Sequence, residues 1–96
     1  MKITWSPRAR RGLYQAYRYI AEDSEAAAGR LADVIDAHVR HLRVHPAMGR
    51  PGRIGGTREL VVPNSPFNVV YELRDREIRI IALMHGAQAW PDDFDE

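Results

Sequence analysis

The hydrophobic residues of this chain change their spacing once, and that change constrains the fold more than any other feature. Before a glycine-rich segment over residues 47–56, apolar residues recur at intervals of three and four, which is the period of an amphipathic helix. After the segment they alternate with a period of two, which is the period of a β-strand. The chain is therefore predicted to be helical in its first half and to form a β-sheet in its second.

A short strand and two helices are predicted before the glycine-rich segment. Residues 2–5 read as the strand, Ser6 can cap the helix that follows, and Pro7 suits the first position of that helix. The second helix is predicted to start after Asp23 or Ser24 and to end at the next proline, which lacks an amide hydrogen. The apolar stripes predicted to face the core are Ala9, Leu13, Ala16, Tyr17 and Ile20 in the first helix and Ala27, Leu31, Val34, Ile35, His38 and Leu42 in the second.

Three strands are predicted after the glycine-rich segment, which itself is expected to be a loop. They lie at residues 57–62, 67–73 and 78–84, and residues 74–77 form the turn between the last two. The order β-α-α-β-β-β defines an α+β domain in which a helical hairpin packs on one side of a mostly antiparallel, curved sheet.

The alternation also assigns residues to the two faces of this sheet. One face carries Phe67, Val69, Tyr71 and Leu73 on one strand and Ile78, Ile80, Ala82 and Met84 on the next. Val70, Ile81 and Leu83 fall on the opposite face, which is therefore not purely polar. Either a partner covers that face, or the sheet curls around a core of its own.

Length and composition fit one domain over residues 1–96. The chain has 45% hydrophobic and 28% charged residues and no cysteine, so disulfides and thiolate chemistry are excluded. No apolar run reaches the roughly 18 residues of a membrane helix, and the N-terminus shows no secretory signal pattern. We therefore expect a cytoplasmic protein that contacts no membrane.

Charge is distributed unevenly along the chain. Residues 1–56 contain ten basic and five acidic side chains, giving +5, whereas residues 57–96 contain four and eight, giving −4; together they make the net charge of +1. This balance argues against indiscriminate adhesion to nucleic acid, but it permits a local basic patch that meets phosphate or an acidic partner. Direct sequence-specific DNA binding by the chain alone is not predicted. The acidic end, residues 92–96, is expected to be a flexible, solvated tail.

The order of several short motifs resembles the RelE/ParE superfamily, the toxin halves of bacterial type II toxin-antitoxin pairs. A Gly-Arg loop precedes Gly-Thr-Arg-Glu-Leu at residues 56–60, Val-Val-Tyr follows at 69–71, and His-Gly-Ala at 85–87 is followed by Trp90-Pro91. The opening Trp5-Ser6-Pro7 with its helical hairpin is similar to the start of that family, so the resemblance spans essentially the whole chain.

Two activities recur in this superfamily, and the resemblance implies one of them. RelE-like members are ribosome-dependent mRNA endonucleases, whereas ParE-like members poison DNA gyrase by binding it. Where the RelE-like pattern carries two arginines, this chain has Asn68 and Gln88, and its last tyrosine is Tyr71, so a C-terminal tyrosine of that pattern is missing. The ParE-like reading is favoured, and no catalytic residue is then required. The alternatives are a RelE-like endonuclease and a relative that only binds an antitoxin.

Candidate site residues follow from this comparison. For catalysis they would be His85 with Arg50, Arg53 and Arg58, because RNA cleavage needs proton transfer and cations near the phosphate. The residues predicted to bind the target or the antitoxin are Arg10, Arg11, Tyr14, Arg18, Arg50, Arg53 and Trp90. The predicted partners are a cognate antitoxin and DNA gyrase, or the ribosome in the alternative.

Structural roles compete with these functional ones. Arg58 is expected to pair across strands with Glu72 or Glu77. The ring of His85 is expected to pack on Trp90. His38, His41 and His45 have a spacing that could bind zinc or nickel, but no carboxylate or thiolate is fixed beside them, and neither a metal nor another cofactor is predicted.

Overall fold

A computed structural model describes residues 1–94 of the chain. The elements in chain order are β1 Lys2–Trp5, α1 Pro7–Ala21, α2 Glu25–His41, β2 Arg50–Pro51, β3 Arg58–Val61, β4 Phe67–Arg74 and β5 Glu77–His85. The predicted α+β order is confirmed, with one additional short strand. Of the acidic end, Asp95 and Glu96 lie outside the described residues, so its predicted flexibility stays a prediction.

Serine side chains cap both helices. Ser6 accepts a hydrogen bond from the amide of Ala9 at 3.0 Å and donates one to the carbonyl of Ile81 at 2.7 Å, so the start of α1 is fixed to β5. Ser24, rather than Asp23, caps α2 by accepting from the amide of Ala27 at 3.1 Å. None of the helices within residues 1–94 has the length and apolar character that crossing a bilayer requires.

The strands form one sheet in the order β1-β5-β4-β3-β2. β1 runs parallel to β5, and each of the other neighbours is antiparallel, as expected for a mostly antiparallel sheet. The prediction of an unstructured segment over residues 47–56 is wrong at Arg50–Pro51, which pairs with the start of β3. The amide of Gly52 donates to the carbonyl of Thr57 at 2.8 Å and closes this small hairpin.

A β-bulge in β5 changes which residues face the helices. Val70 pairs with Ala82 but Tyr71 pairs with Ile80, so Ile81 is an extra residue in the ladder. One inserted residue reverses a period-two pattern from that point on. The prediction that Ala82 and Met84 share one face with Ile78 and Ile80 is therefore wrong, and so is the assignment of Leu83 to the opposite face.

The predicted helix stripes are also offset from the buried ones. In α1, Tyr17 is exposed rather than in the core. In α2 the buried side chains are Ala28, Ile35 and Val39, while Val34 is exposed. Alanines and valines lie on several adjacent sides of α2, so the spacing of its apolar residues does not identify the side that meets the sheet.

Two apolar clusters lie on the two faces of the sheet. The main core lies between the sheet and the helices, and it includes Ile35, Leu42, Val69, Tyr71 and Ile78. The second cluster lies on the side away from the helices, called here the open face, and consists of Val70, Ile81, Ala82 and Met84. Trp90 and Phe94 pack against this second cluster. The open face is thus covered in part by the chain's own C-terminal segment, which neither predicted arrangement included.

Candidate functional site

The predicted site residues lie in three places on the molecule. The loop cluster, around the β2–β3 hairpin, contains Arg50, Arg53, Glu59 and Trp90, with Arg58 beside it. The hairpin groove, between the two helices, carries Arg10 and Tyr14, and Arg18 lies over the Tyr14 ring. The edge groove, between α1 and the end of β5, is lined by Arg11 and His85. The predicted binding and catalytic residues therefore do not form one site.

Glu59 organises the loop cluster from a buried position. One carboxylate oxygen accepts the amide of Arg53 at 2.7 Å. The other lies 3.4 Å from Nη2 of Arg50 and 3.7 Å from Nε of Arg53. A buried carboxylate requires such partners, because an unpaired charge is costly to remove from water. The two arginine side chains remain half exposed, so Glu59 fixes them while leaving them accessible.

The sequence prediction missed Glu59. One signal could have identified it. Glu59 is an acidic residue inside the predicted strand at residues 57–62, and three arginines lie near it in sequence, two in the preceding loop and one in the strand. Its role could not be read from alternation alone, because the partner strand β2 was predicted as loop.

Trp90 completes the loop cluster on the open face. The guanidinium carbon of Arg53 lies 3.9 Å from the centre of the Trp90 ring, which is within the range of a cation–π contact. The indole Nε1 of Trp90 is buried and has no hydrogen-bond partner among the described residues. The expected contact between Trp90 and His85 is wrong, since the aromatic neighbour of Trp90 is Phe94.

Arg58 and Tyr71 hold the chain that leads into the loop cluster. Arg58 Nη1 donates to the carbonyls of Gly49 at 2.7 Å and Ala47 at 3.3 Å. The Tyr71 hydroxyl accepts from the amide of Gly49 and donates to the carbonyl of Pro46, each at 2.8 Å. A Cβ at Gly49 would lie 2.7 Å from that hydroxyl oxygen, so only glycine fits here. Burial raises the pKa of Tyr71 above its usual 10.0.

The cross-strand pairing expected for Arg58 is wrong. Glu72 instead pairs with Arg74 at 3.0 Å, and Glu77 accepts a hydrogen bond from Thr4 at 2.6 Å. Arg58 therefore binds backbone carbonyls, which favours a structural role and leaves it poorly placed to hold a phosphate.

His85 lies in a turn closed by its own neighbours. Its Nδ1 accepts the amide of Ala87 at 3.0 Å, so the ring proton of the neutral form is on Nε2. Its amide donates to the side-chain oxygen of Gln88 at 3.2 Å, and the amide of Gln88 donates back to the His85 carbonyl at 3.0 Å. The ring lies edge-on to Phe67. Gln88 thus acts as a turn-closing side chain.

The register separates His85 from the arginine proposed as its companion. His85 pairs with Phe67, whereas Arg58 pairs with Tyr71, four residues further along β4. That spacing corresponds to about 13 Å along the strand. Asn68 is buried beside Met84 in the same region and supplies no cation. The structure does not bring His85 and Arg58 together for proton transfer and phosphate binding.

The hairpin groove is apolar and has a basic rim. It has a volume of about 480 Å³. Its lining consists of Trp5, Arg10, Leu13, Tyr14, Tyr17, Ala32 and Asp36. The guanidinium of Arg18 lies 5.7 Å from the Tyr14 ring, and Asp36 is paired with Arg40. A groove of this shape suits the apolar face of a helix that carries acidic residues at its edges.

The edge groove is more polar and has a volume of about 600 Å³. Arg8, Arg11, Gln15 and Tyr19 of α1 line one side, and His85 and Gln88 are among the residues of the other side. The residues that line it include no carboxylate, so it attracts anions.

The histidines of α2 are not arranged around a common point. His38 Nδ1 lies 2.8 Å from the carbonyl of Val34 and donates to it, while the rings of His41 and His45 contact each other. Within residues 1–94 no three side chains of the metal-binding types gather closely enough to hold an ion.

Comparison with known proteins gives consistent matches. A family model described as the ParE toxin of the type II toxin-antitoxin system parDE matches residues 3–90. A protein of Sinorhizobium fredii (strain NBRC 101917 / NGR234), named "Putative toxin Y4kP", is 41% identical over 90 residues, which cover 94% of this chain and 93% of that protein. A solved structure, described as the chromosomal ParDE TA system from P. aeruginosa, has the same fold with a TM-score of 0.79 at 24% identity, covering 88% of this chain and 95% of that one.

Proposed function

Because the chain belongs to the ParE toxin family of type II toxin-antitoxin systems, we propose that it inhibits bacterial growth by binding a protein target and that a cognate antitoxin neutralises it. DNA gyrase is the proposed target, as membership in the ParE branch suggests. The observation that carries this proposal is that two candidate catalytic side chains form hydrogen bonds to the backbone. Arg58 donates to backbone carbonyls, and the ring of His85 accepts from an amide in its own turn. A binding mechanism needs neither group free.

Two surfaces are proposed for the two partners. The loop cluster, with Arg50, Arg53 and Trp90, is the proposed target surface, because Glu59 presents both arginines in a fixed and accessible position. The hairpin groove, with Arg10, Tyr14 and Arg18, is the proposed antitoxin surface, since its apolar wall and basic rim complement an acidic amphipathic helix. Arg11 lines the edge groove and would extend this basic surface toward β5.

Expression in a bacterium tests the proposal. Production of the chain alone is expected to arrest growth and to cause DNA breaks with an induced damage response. Co-production of a small acidic protein encoded in the neighbouring reading frame is expected to restore growth. With purified components, the chain should trap gyrase on cleaved DNA. Unimpaired growth in a host whose gyrase is shown to bind other toxins of the family would contradict the proposal.

The endonuclease alternative predicts a different outcome in the same cells. Codon-phased cuts in translated messages, without DNA breaks, would support it. His85→Ala separates the two mechanisms, because it removes the side chain proposed to carry the proton without touching the arginines of the loop cluster. We expect this variant to arrest growth as the wild type does, and Arg58→Ala is avoided because Arg58 holds the backbone at Ala47 and Gly49.

A further inference from the structure

After β5 the chain crosses the open face, where side-chain contacts of residues 89–94 hold it. Residues 89–94, called here the C-terminal strap, place Trp90 and Phe94 against the buried cluster of Val70, Ile81, Ala82 and Met84. The last backbone hydrogen bond before the strap joins Gln88 to His85, and within the described part of the chain no residue of the strap forms one. Such a segment opens more easily than a strand of the sheet.

Two arginines from different elements contact the aromatic rings of the strap. Arg53 of the β2–β3 loop lies 3.9 Å from the centre of the Trp90 ring. Arg8 of α1 lies 5.3 Å from the centre of the Phe94 ring. Arg53 is itself held by the buried carboxylate of Glu59, so it forms the more rigid of the two contacts. The strap is therefore held on both sides by cation–π contacts.

One feature of the closed strap opposes its closure. The Nε1–H of Trp90 is buried and has no hydrogen-bond partner within residues 1–94, and a donor in that state loses the bond that water would give it. Opening restores that bond but exposes the apolar rings and the cluster beneath them. The unpaired donor therefore lowers the free energy of opening, and the packing of the two rings raises it.

We propose that the C-terminal strap is a reversible cover over a docking surface on the open face, and that Arg53 holds it closed. Opening exposes an apolar patch and, at the same time, releases the guanidinium groups of Arg53 and Arg8 from their ring contacts. The occupant that complements both is an acidic peptide segment that carries an apolar or aromatic side chain. The inference rests on the proposed function only in that Arg53 and Trp90 are proposed there to bind the target.

Exchange of the Trp90 indole proton with water measures opening directly. In ¹H–¹⁵N spectra of the full chain, with Trp90 assigned from a Trp90→Phe sample, Arg53→Gln is expected to raise the exchange rate about 5- to 30-fold. Arg50→Gln is the matched control, because Arg50 is also paired with Glu59 but contacts no aromatic ring of the described residues. It should change the rate less than twofold. Equal rates in the two variants, or free-indole exchange in the wild type, would overturn the proposal.

The anionic aromatic dye 8-anilinonaphthalene-1-sulfonate tests the surface beneath the strap. Phe94→Ala removes one anchor and leaves Arg53 and Trp90 in place, so it is expected to raise dye affinity several-fold while urea unfolding stays cooperative. Adding Arg8→Gln to Phe94→Ala should lower the affinity again, because Arg8 is the cation that loses its ring contact when Phe94 is replaced. Dye binding that Phe94→Ala does not increase, or that does not depend on Arg8, would refute the docking surface. Neither measurement uses toxicity or gyrase, so a failure here is distinct from a failure of the proposed function.

Discussion

At the scale of single residues, two polar side chains of the kind found in catalytic sites instead form hydrogen bonds to the backbone. Tyr71 joins the amide of Gly49 to the carbonyl of Pro46, and Arg58 binds the carbonyls beside them. Both side chains thereby fix the segment that carries Arg50 and Arg53 out to solvent. Replacing either side chain should therefore lower the stability of the protein, and any loss of binding should be a consequence of that lower stability.

Tyr71→Phe tests this role. The substitution leaves the buried amide of Gly49 and the partly buried carbonyl of Pro46 without the Tyr71 hydroxyl, so it should lower the free energy of unfolding by about 1–3 kcal/mol at neutral pH. Because burial raises the pKa of Tyr71, its contribution to stability is present below pH 10.0 and is lost as the pH rises through the folded-state pKa. Wild-type stability should therefore fall more steeply above pH 10.0 than that of the variant.

Urea denaturation at a series of pH values measures both effects. Tyr19→Phe is the control, because Tyr19 is 74% exposed and the same hydroxyl is lost there without a buried partner. A pH dependence shared by Tyr71→Phe and the wild type would show that the Tyr71 hydroxyl does not titrate with unfolding.

At the scale of elements, the helical hairpin exposes aromatic side chains on its outer surface. Tyr14 is 62% exposed and lines the hairpin groove with the exposed Tyr17. Their rings are apolar, and Arg10 stands at the groove. α1 therefore has two apolar surfaces. One packs on the sheet, and the other lines the hairpin groove, where a partner can bind.

Tyr14→Ala should weaken antitoxin binding about tenfold or more, because an aromatic anchor in a groove commonly dominates an interface. The stability of the isolated chain should change little, since the ring is largely exposed. Titration calorimetry with the purified antitoxin measures the affinity. Tyr19→Ala, on the same helix but in the edge groove, is the matched control, and an equal loss in that variant would place the antitoxin outside the hairpin groove.

At the scale of the whole molecule, positive charge is concentrated on α1 and on the loop that follows α2. The four arginines of α1 give +4 and residues 42–56 add +3, whereas residues 22–41 give −3 and Lys2 gives +1; the −4 of residues 57–96 belongs to β3–β5 and the C-terminal end. An acidic antitoxin approaching α1 would therefore be attracted over the distance at which salt screens charges, about 8–10 Å at physiological ionic strength.

The association rate with the antitoxin should fall about tenfold between roughly 0.05 M and 0.5 M salt, while the dissociation rate changes much less. Stopped-flow measurement at several salt concentrations checks this. Arg43→Gln, an exposed arginine outside both grooves, should reduce the salt dependence less than Arg10→Gln does. A rate that does not depend on salt would show that apolar contact alone governs the encounter.

The sequence by itself determined the elements whose signals are local. Ser6 with Pro7 marks the start of α1, the change of period marks the passage from helix to strand, and residues 74–77 form the predicted turn. The family resemblance was likewise readable, because it consists of short motifs in a fixed order, and the family match over residues 3–90 confirms it.

Only the tertiary structure decided how these elements meet. The extra residue Ile81, the pairing of Arg50–Pro51 with β3, the burial of Glu59 and the strap over the open face all arise from contacts between distant parts of the chain. No local pattern encodes them, because a bulge, a two-residue strand or a buried carboxylate is stable only once its partner is in place. The sequence therefore specified which residues are helix or strand, and packing specified which of their side chains reach a partner.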